Sequence, residues 1–180
     1  DTPFSALDNS SEANNKLAEE MASLSDGRRV PTIDPDAGAR MLEAVLEARA
    51  QKDTLGGIVE CVATGLPAGI GSPMFDGIEN VLARDLFGIP SVKGVEFGRG
   101  FASARLRGSE NNDPYEVREG TCVPTTNNAG GILGGITSGA PLLVRCAFKP
   151  ISSIMMDQAS VDLSTMKPAT LKVHGRHDTT

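Results

Sequence analysis

The stretch from Asn127 to Ser153 (NNAGGILGGITSGAPLLVRCAFKPISS) sets the tightest limits on how this chain folds. Gly130, Gly131, Gly134, Gly135 and Gly139 fall within ten residues. Glycine at that density lets the backbone take positive φ and approach a ligand or another backbone closely. From Pro141 to Lys149 the pattern changes to period two. Leu142, Val144, Cys146 and Phe148 face one way, and Leu143, Arg145, Ala147 and Lys149 the other, as in a strand. Two cations, Arg145 and Lys149, thus share a face beside a loop expected to offer free backbone N–H groups. That combination suits a phosphate or carboxylate ligand. A solvated strand face is the competing reading of the same two cations.

The rest of the chain supplies helices and strands in alternation. Ser11 to Leu24 spaces Leu17, Met21 and Leu24 helically behind a capping serine. Asp34-Pro35 reads as an N-cap followed by a first-turn proline. Met41, Leu42, Val45 and Leu46 then form one apolar stripe, which predicts an amphipathic helix from Pro35 to about Gln51 that covers a sheet. Gly56 to Thr64 and Ser91 to Phe97 read as strands. Gly65 to Gly71 matches no phosphate-loop or dinucleotide pattern and reads as a turn. Ser72-Pro73 opens a second helix with Phe75, Ile78, Val81, Leu82 and Leu86 on its stripe. Gly108 to Pro114 is a polar turn whose Asn and Asp residues are loop formers. The expected fold class is α+β, a sheet with its apolar face covered by the two long helices. Residues 1–33 read as a helical, flexible lead-in and 34–180 as the main domain.

At 180 residues the chain has the size of one domain, enough to bury roughly 70% of its unfolded surface. It has no Trp and one Tyr, so a flavin or nucleobase is not expected to sit in an aromatic sandwich. The net charge of -6 argues against nucleic acid as a partner. Yet residues 140–180 carry five basic side chains against three acidic ones, a local balance that favours a small anion. Cys61, Cys122 and Cys146 show no metal-ligand spacing and are expected to be reduced, buried thiols. No apolar run reaches the roughly 20 residues that cross a membrane, and no signal peptide is visible, so a cytoplasmic location is expected. The sequence opens at Asp1 without an initiator Met, as expected of a processed or excised piece.

A second cluster, Arg176-His177-Asp178, lies near the C-terminus. Asp178 suits a general base or a group that orients a ring nitrogen, and His177 is the side-chain type suited to proton exchange near neutral pH. A surface turn is the plain alternative. His174 and His177 have no further ligand pattern beside them, so no metal site is expected.

Four blocks carry a resemblance to a known family. They are Asn127–Gly139 (NNAGGILGGITSG) with Phe148–Ile154 (FKPISSI), Val92–Gly98 (VKGVEFG), Gly108–Asp113 (GSENND) and Gly175–Asp178 (GRHD). In order and spacing, from about Arg40 to Asp178, the chain resembles chorismate synthase. The resemblance implies an α+β sandwich with antiparallel sheets, assembled as a homotetramer. It implies a lyase of aromatic amino-acid biosynthesis in the shikimate pathway, which eliminates phosphate from 5-enolpyruvylshikimate 3-phosphate with reduced FMN bound. By position, the flavin contacts would include Ser91, Gly134, Lys149, Pro150, Ile151, Ser152, Ser153 and Arg176. Asp178 matches the family's catalytic aspartate, and Arg145 is read as a substrate contact. The sequence departs from the family at Thr179, where Pro usually follows Asp178. The family's N-terminal Gly-Glu-Ser-His-Gly motif and its arginine-rich blocks do not occur here. The expectation is therefore a fragment, inactive alone. A non-catalytic anion-binding or assembly module is the alternative.

Overall fold

The computed structural model describes residues 11–24 and 30–173. The chain divides into two compact units, Asp1–Ser23 with Ile58–Phe148 and Leu24–Gly57 with Lys149–Thr180.

The first unit is built on α1 (Ser11–Ser23), β1 (Gly57–Ala63) and α3 (Ile78–Phe87), with β2 (Val92–Phe97), the short α4 (Gly108–Asn111), β3 (Tyr115–Arg118) and β4 (Thr121–Pro124). It also holds β5 (Ile132–Leu133), β6 (Ile136–Thr137) and β7 (Leu142–Phe148). The main sheet has the order β1-β7-β2. Strand β7 is central because its residues are apolar on both faces: Leu142, Leu143, Val144 and Cys146 are all buried. It pairs antiparallel with β2, Val95 opposite Cys146 and Glu96 opposite Arg145, with an irregularity between Val92 and Gly94.

Helix α3 lays Ile78, Leu82 and Leu86 against the buried cluster of Ile132, Leu142 and Val144. Their spacing of four residues places all three on one helix face, and being partly buried each contributes less than the about 1.5–3 kcal/mol of a fully buried side chain. The helix starts later than its Ser72-Pro73 opening suggests. Gly77 is extended, at φ -62 and ψ 157, so Met74–Asp76 forms a separate 3-10 turn. Phe75, expected on the stripe, is consequently 84% exposed.

The second unit contains α2 (Pro35–Ala50) and the hairpin of β8 (Gln158–Asp162) and β9 (Lys167–Leu171). Asp34 caps α2 by accepting the Asp36 N–H at 2.9 Å, as the Asp-Pro pair predicts. Met41 and Leu46 of its expected stripe are half exposed.

Two hairpins outside the glycine block were not anticipated. β3–β4 turns at Glu119 and Gly120, both at positive φ, and nearly all of its residues are exposed. β8–β9 turns at Asp162, whose carboxyl is held below its ordinary range by the Ser164 hydroxyl and then by the Ser164 N–H. Nor are all three thiols buried. Cys61 and Cys122 are exposed, and Cys146 alone is enclosed, where burial, together with Cys61, pushes its thiol upward. Among the described residues no helix is long and apolar enough to cross a membrane. The fold is α+β with antiparallel pairing, as the resemblance implied.

Candidate functional site

The glycine block folds into a hairpin. Ile132 pairs with Thr137 and Leu133 with Ile136, antiparallel. Gly134 and Gly135 turn the corner at φ +62 and +82, as a two-residue turn of the mirror-image type requires. Gly135 also lies against the start of α3, where its carbonyl accepts the Ile78 N–H at 3.0 Å.

The block does not offer the row of free N–H donors that its composition suggests. Gly130 N–H donates to Asn127 O and Gly131 N–H to Asn127 Oδ1. Thr137 N–H donates to Ile70 O, and Ser138 N–H to Gly131 O. These donors are consumed internally because the block passes through the core, where an unpaired N–H is costly. Gly134 differs: it is exposed, and a Cβ there would meet nothing within 4 Å. The tip of the hairpin is therefore the part open to a ligand.

Side chains outside the block hold it in place. Asp113 accepts from the Thr126 hydroxyl at 2.6 Å, the Asn128 N–H at 2.7 Å and the Ala129 N–H at 2.9 Å. Asn127 Nδ2 donates to Pro141 O, and Asn128 Nδ2 to the Asn111 carbonyl. Sequence reasoning treated Asp113 only as a turn former. The habit of Asp to accept nearby N–H groups was visible, but its long-range target was not. Buried Thr137 was also missed. Its hydroxyl accepts the Ile70 N–H at 2.9 Å and donates to Pro67 O at 2.7 Å.

The candidate residues are distributed as follows. Ser91 precedes β2 at φ +72, a left-handed conformation uncommon outside glycine. Such strained positions gather at functional sites. Arg145 does not stand free: its Nε lies 3.0 Å from Glu96 and 3.8 Å from Glu60, and its Nη2 donates to Gly98 O at 2.8 Å.

Lys149, Pro150, Ile151, Ser152 and Ser153 form one turn of the second unit. The turn is tied to the end of α2: Thr54 Oγ1 donates to Ile151 O at 2.7 Å, and Met155 N–H donates to Lys52 O. Lys149 is exposed, and its Nζ lies 3.5 Å from the Pro150 carbonyl. That leaves the ammonium able to meet an anion. Arg176, His177, Asp178 and His174 lie outside the described residues. Among the described residues no cluster of His, Cys, Asp and Glu is arranged to hold a metal ion.

Comparison with known proteins gives one answer. The family model of chorismate synthase matches residues 9–180. A chorismate synthase of Lancefieldella parvula is 54% identical over 182 residues, covering 100% of this chain and 48% of the relative. One from Thermococcus gammatolerans is 54% identical over 145 residues, covering 81% of this chain and 41% of the relative. A crystal structure of chorismate synthase matches with a TM-score of 0.74 at 32% identity, over 84% of this chain and 45% of that one. The chain thus spans about half the length of the curated relatives it matches. Since the family model takes in nearly the whole sequence, the chain belongs to the chorismate synthase family.

Proposed function

We propose that this chain forms part of a lyase that converts 5-enolpyruvylshikimate 3-phosphate to chorismate by an anti-1,4-elimination. The observation that carries the reading is the Lys149–Ser153 turn, an exposed cation beside two serines on a backbone tied down by Thr54. The turn's donors fit FMN: an exposed ammonium and two hydroxyls suit a phosphate. Within the first unit, the open Gly134 tip and left-handed Ser91 suit a polar ligand edge. Reduced FMN, when bound, supplies electron density to the allylic system and takes up the ring hydrogen. Ser91, Gly134, Lys149, Pro150, Ile151, Ser152, Ser153 and Arg176 are the proposed flavin contacts.

In the reaction the carbon–oxygen bond to phosphate breaks with its electron pair leaving on phosphate, and the ring hydrogen leaves as a proton while the C–H electron pair becomes part of the new diene. Lys149 and Arg176 offset the negative charge of the phosphates. A cation at ~4 Å from such a charge is worth about 1 kcal/mol in water and about 4 kcal/mol in a shielded cleft. Asp178 holds or moves a proton at the flavin's reactive nitrogen. A homotetramer in the cytoplasm is the assembly we infer for the whole enzyme.

The chain alone is expected to turn over no substrate, because the Gly-Glu-Ser-His-Gly acid motif does not occur in its 180 residues. Chorismate formation by this chain with reduced FMN, read in a coupled assay, would overturn that expectation. Lys149→Ala, made in a full-length relative, is expected to weaken FMN or substrate binding ten- to a hundredfold, about 1.5–3 kcal/mol for a lost charge-assisted contact. Unchanged affinity would return Lys149 to the solvated surface.

A second reading, an anion-binding or assembly module without catalysis, is favoured by one observation: most N–H groups of the glycine block serve its own packing. Titrating the chain with FMN, with and without 5-enolpyruvylshikimate 3-phosphate, tests between the two. Flavin binding tightened by the phosphorylated ligand supports the lyase. Absence of binding leaves the family membership intact and means that the pocket requires more protein than this chain provides.

A further inference from the structure

Arg145 carries the second cation of the β7 pattern, and its surroundings argue against a role as a ligand contact. Its side chain is 18% exposed, with Glu96 directly opposite on β2 at 3.0 Å and Glu60 of β1 at 3.8 Å. The guanidinium thus lies between two acidic side chains that compete with any incoming anion for it.

The hydrogen bonds of the trio lead elsewhere. Arg145 Nη2 donates to Gly98 O at 2.8 Å. The other Glu96 oxygen, Oε2, accepts the Phe101 N–H at 3.0 Å. The Gly98–Phe101 segment is thus gripped at both ends by the ion pair. That segment in turn supports the glycine block. Arg99 N–H donates to Asn128 O at 2.9 Å, and Arg99 Nε to Asn128 Oδ1 at 2.5 Å. Gly98 and Gly130 approach so closely that a Cβ on Gly98 would fall 2.5 Å from Gly130 N.

We propose that Arg145 is a positioning residue. With Glu96 it fixes the Gly98–Phe101 segment, and through Arg99 and Asn128 it fixes the register of the glycine hairpin whose tip is Gly134. The ligand at that tip rests on the function proposed above; the grip itself does not.

The two roles predict opposite signs for one substitution. Were Arg145 an anion contact, Glu96→Gln would remove a competing negative charge and tighten anion binding. As a grip, Glu96→Gln and Arg145→Gln are equivalent lesions. Each is expected to raise amide exchange at Arg99 and Phe101 about tenfold or more, with the double variant no worse than the poorer single. Arg145→Lys restores the charge but has one point donor group, where Arg145 holds Nε in charge contact with Glu96 while Nη2 donates to Gly98 O, so exchange stays fast.

Unchanged exchange in Arg145→Gln, additive effects in the double variant, or full rescue by Arg145→Lys would each overturn the proposal. Circular dichroism melts of all four variants separate local loosening from global unfolding. If the chain binds FMN, both single glutamine variants should weaken it, and a gain in Glu96→Gln would equally refute the grip. If it binds none, the exchange data still decide the matter, so failure of the lyase reading is distinguishable from failure of this one.

Discussion

Gly130→Ala is expected to cost about 4 kcal/mol or more, a large share of the roughly 5–15 kcal/mol that holds a domain together. Gly130 sits at φ +67, and an added Cβ would land on Gly98 N, 2.6 Å from Gly98 Cα and 3.0 Å from Leu143 O. All three neighbours are backbone, so no side chain can swing aside. Relief requires moving strands apart, and the bonds that would stretch are Gly98 N–H to Leu143 O and Leu143 N–H to Gly130 O, each 3.0 Å. Gly134→Ala is the matched control. Its φ of +62 is nearly the same, but no atom lies within 4 Å of the new Cβ. That change costs only the left-handed penalty, about 1–2 kcal/mol. Urea unfolding of both variants reads the difference directly. Equal midpoints would mean that close backbone packing does not govern the block.

Thr137→Val comes next, at about 1–3 kcal/mol. The swap keeps the shape and removes one oxygen. Thr137 is 5% exposed, and that oxygen bonds both the Ile70 N–H and the Pro67 carbonyl. Each orphaned backbone group costs about 1–3 kcal/mol where water cannot reach it; Thr137 is buried but Pro67 and Ile70 are exposed, so the lower part of that range applies. Thr137→Ser keeps both bonds and loses one methyl, about 1 kcal/mol. The loss should appear as a lower unfolding midpoint together with faster exchange of the Ile70 amide. A valine variant as stable as the serine variant would sink the account.

Much of the local structure was legible because local chemistry decides it. Asp34-Pro35 announced α2, which runs from Pro35 to Ala50. The β-branched run after Gly56 announced β1, and the alternation after Pro141 announced β7. Strand order was not legible. Nothing near Leu142 says that β1 and β2 will settle on either side of it, since that depends on both faces of β7 being buried together. The β3–β4 hairpin was hidden because its turn uses Glu119 at positive φ, a residue that does not advertise a turn. The site was legible as a set of residue types and less so as an arrangement. Lys149 is exposed, and Arg145 lies between acids that stand 49 and 85 positions before it in sequence, as the numbering of Glu96 and Glu60 shows. Pairing across such separations leaves no local trace.

The place of β7 also dictates when this sheet can exist. Of its three strands, β7 is the last to be made and the one to which both others bond. A nascent chain that has emerged only as far as Gly139 carries β1 and β2 with no partner for either. The closure entropy of both long connections falls due before any strand pairing offsets it, which slows folding. Until Leu142–Phe148 arrives, two strand edges lie open to other chains, the condition under which edge pairing leads to aggregation. Translation that stalls in the glycine block therefore leaves the β1 and β2 edges that β7 would cover unpaired by it.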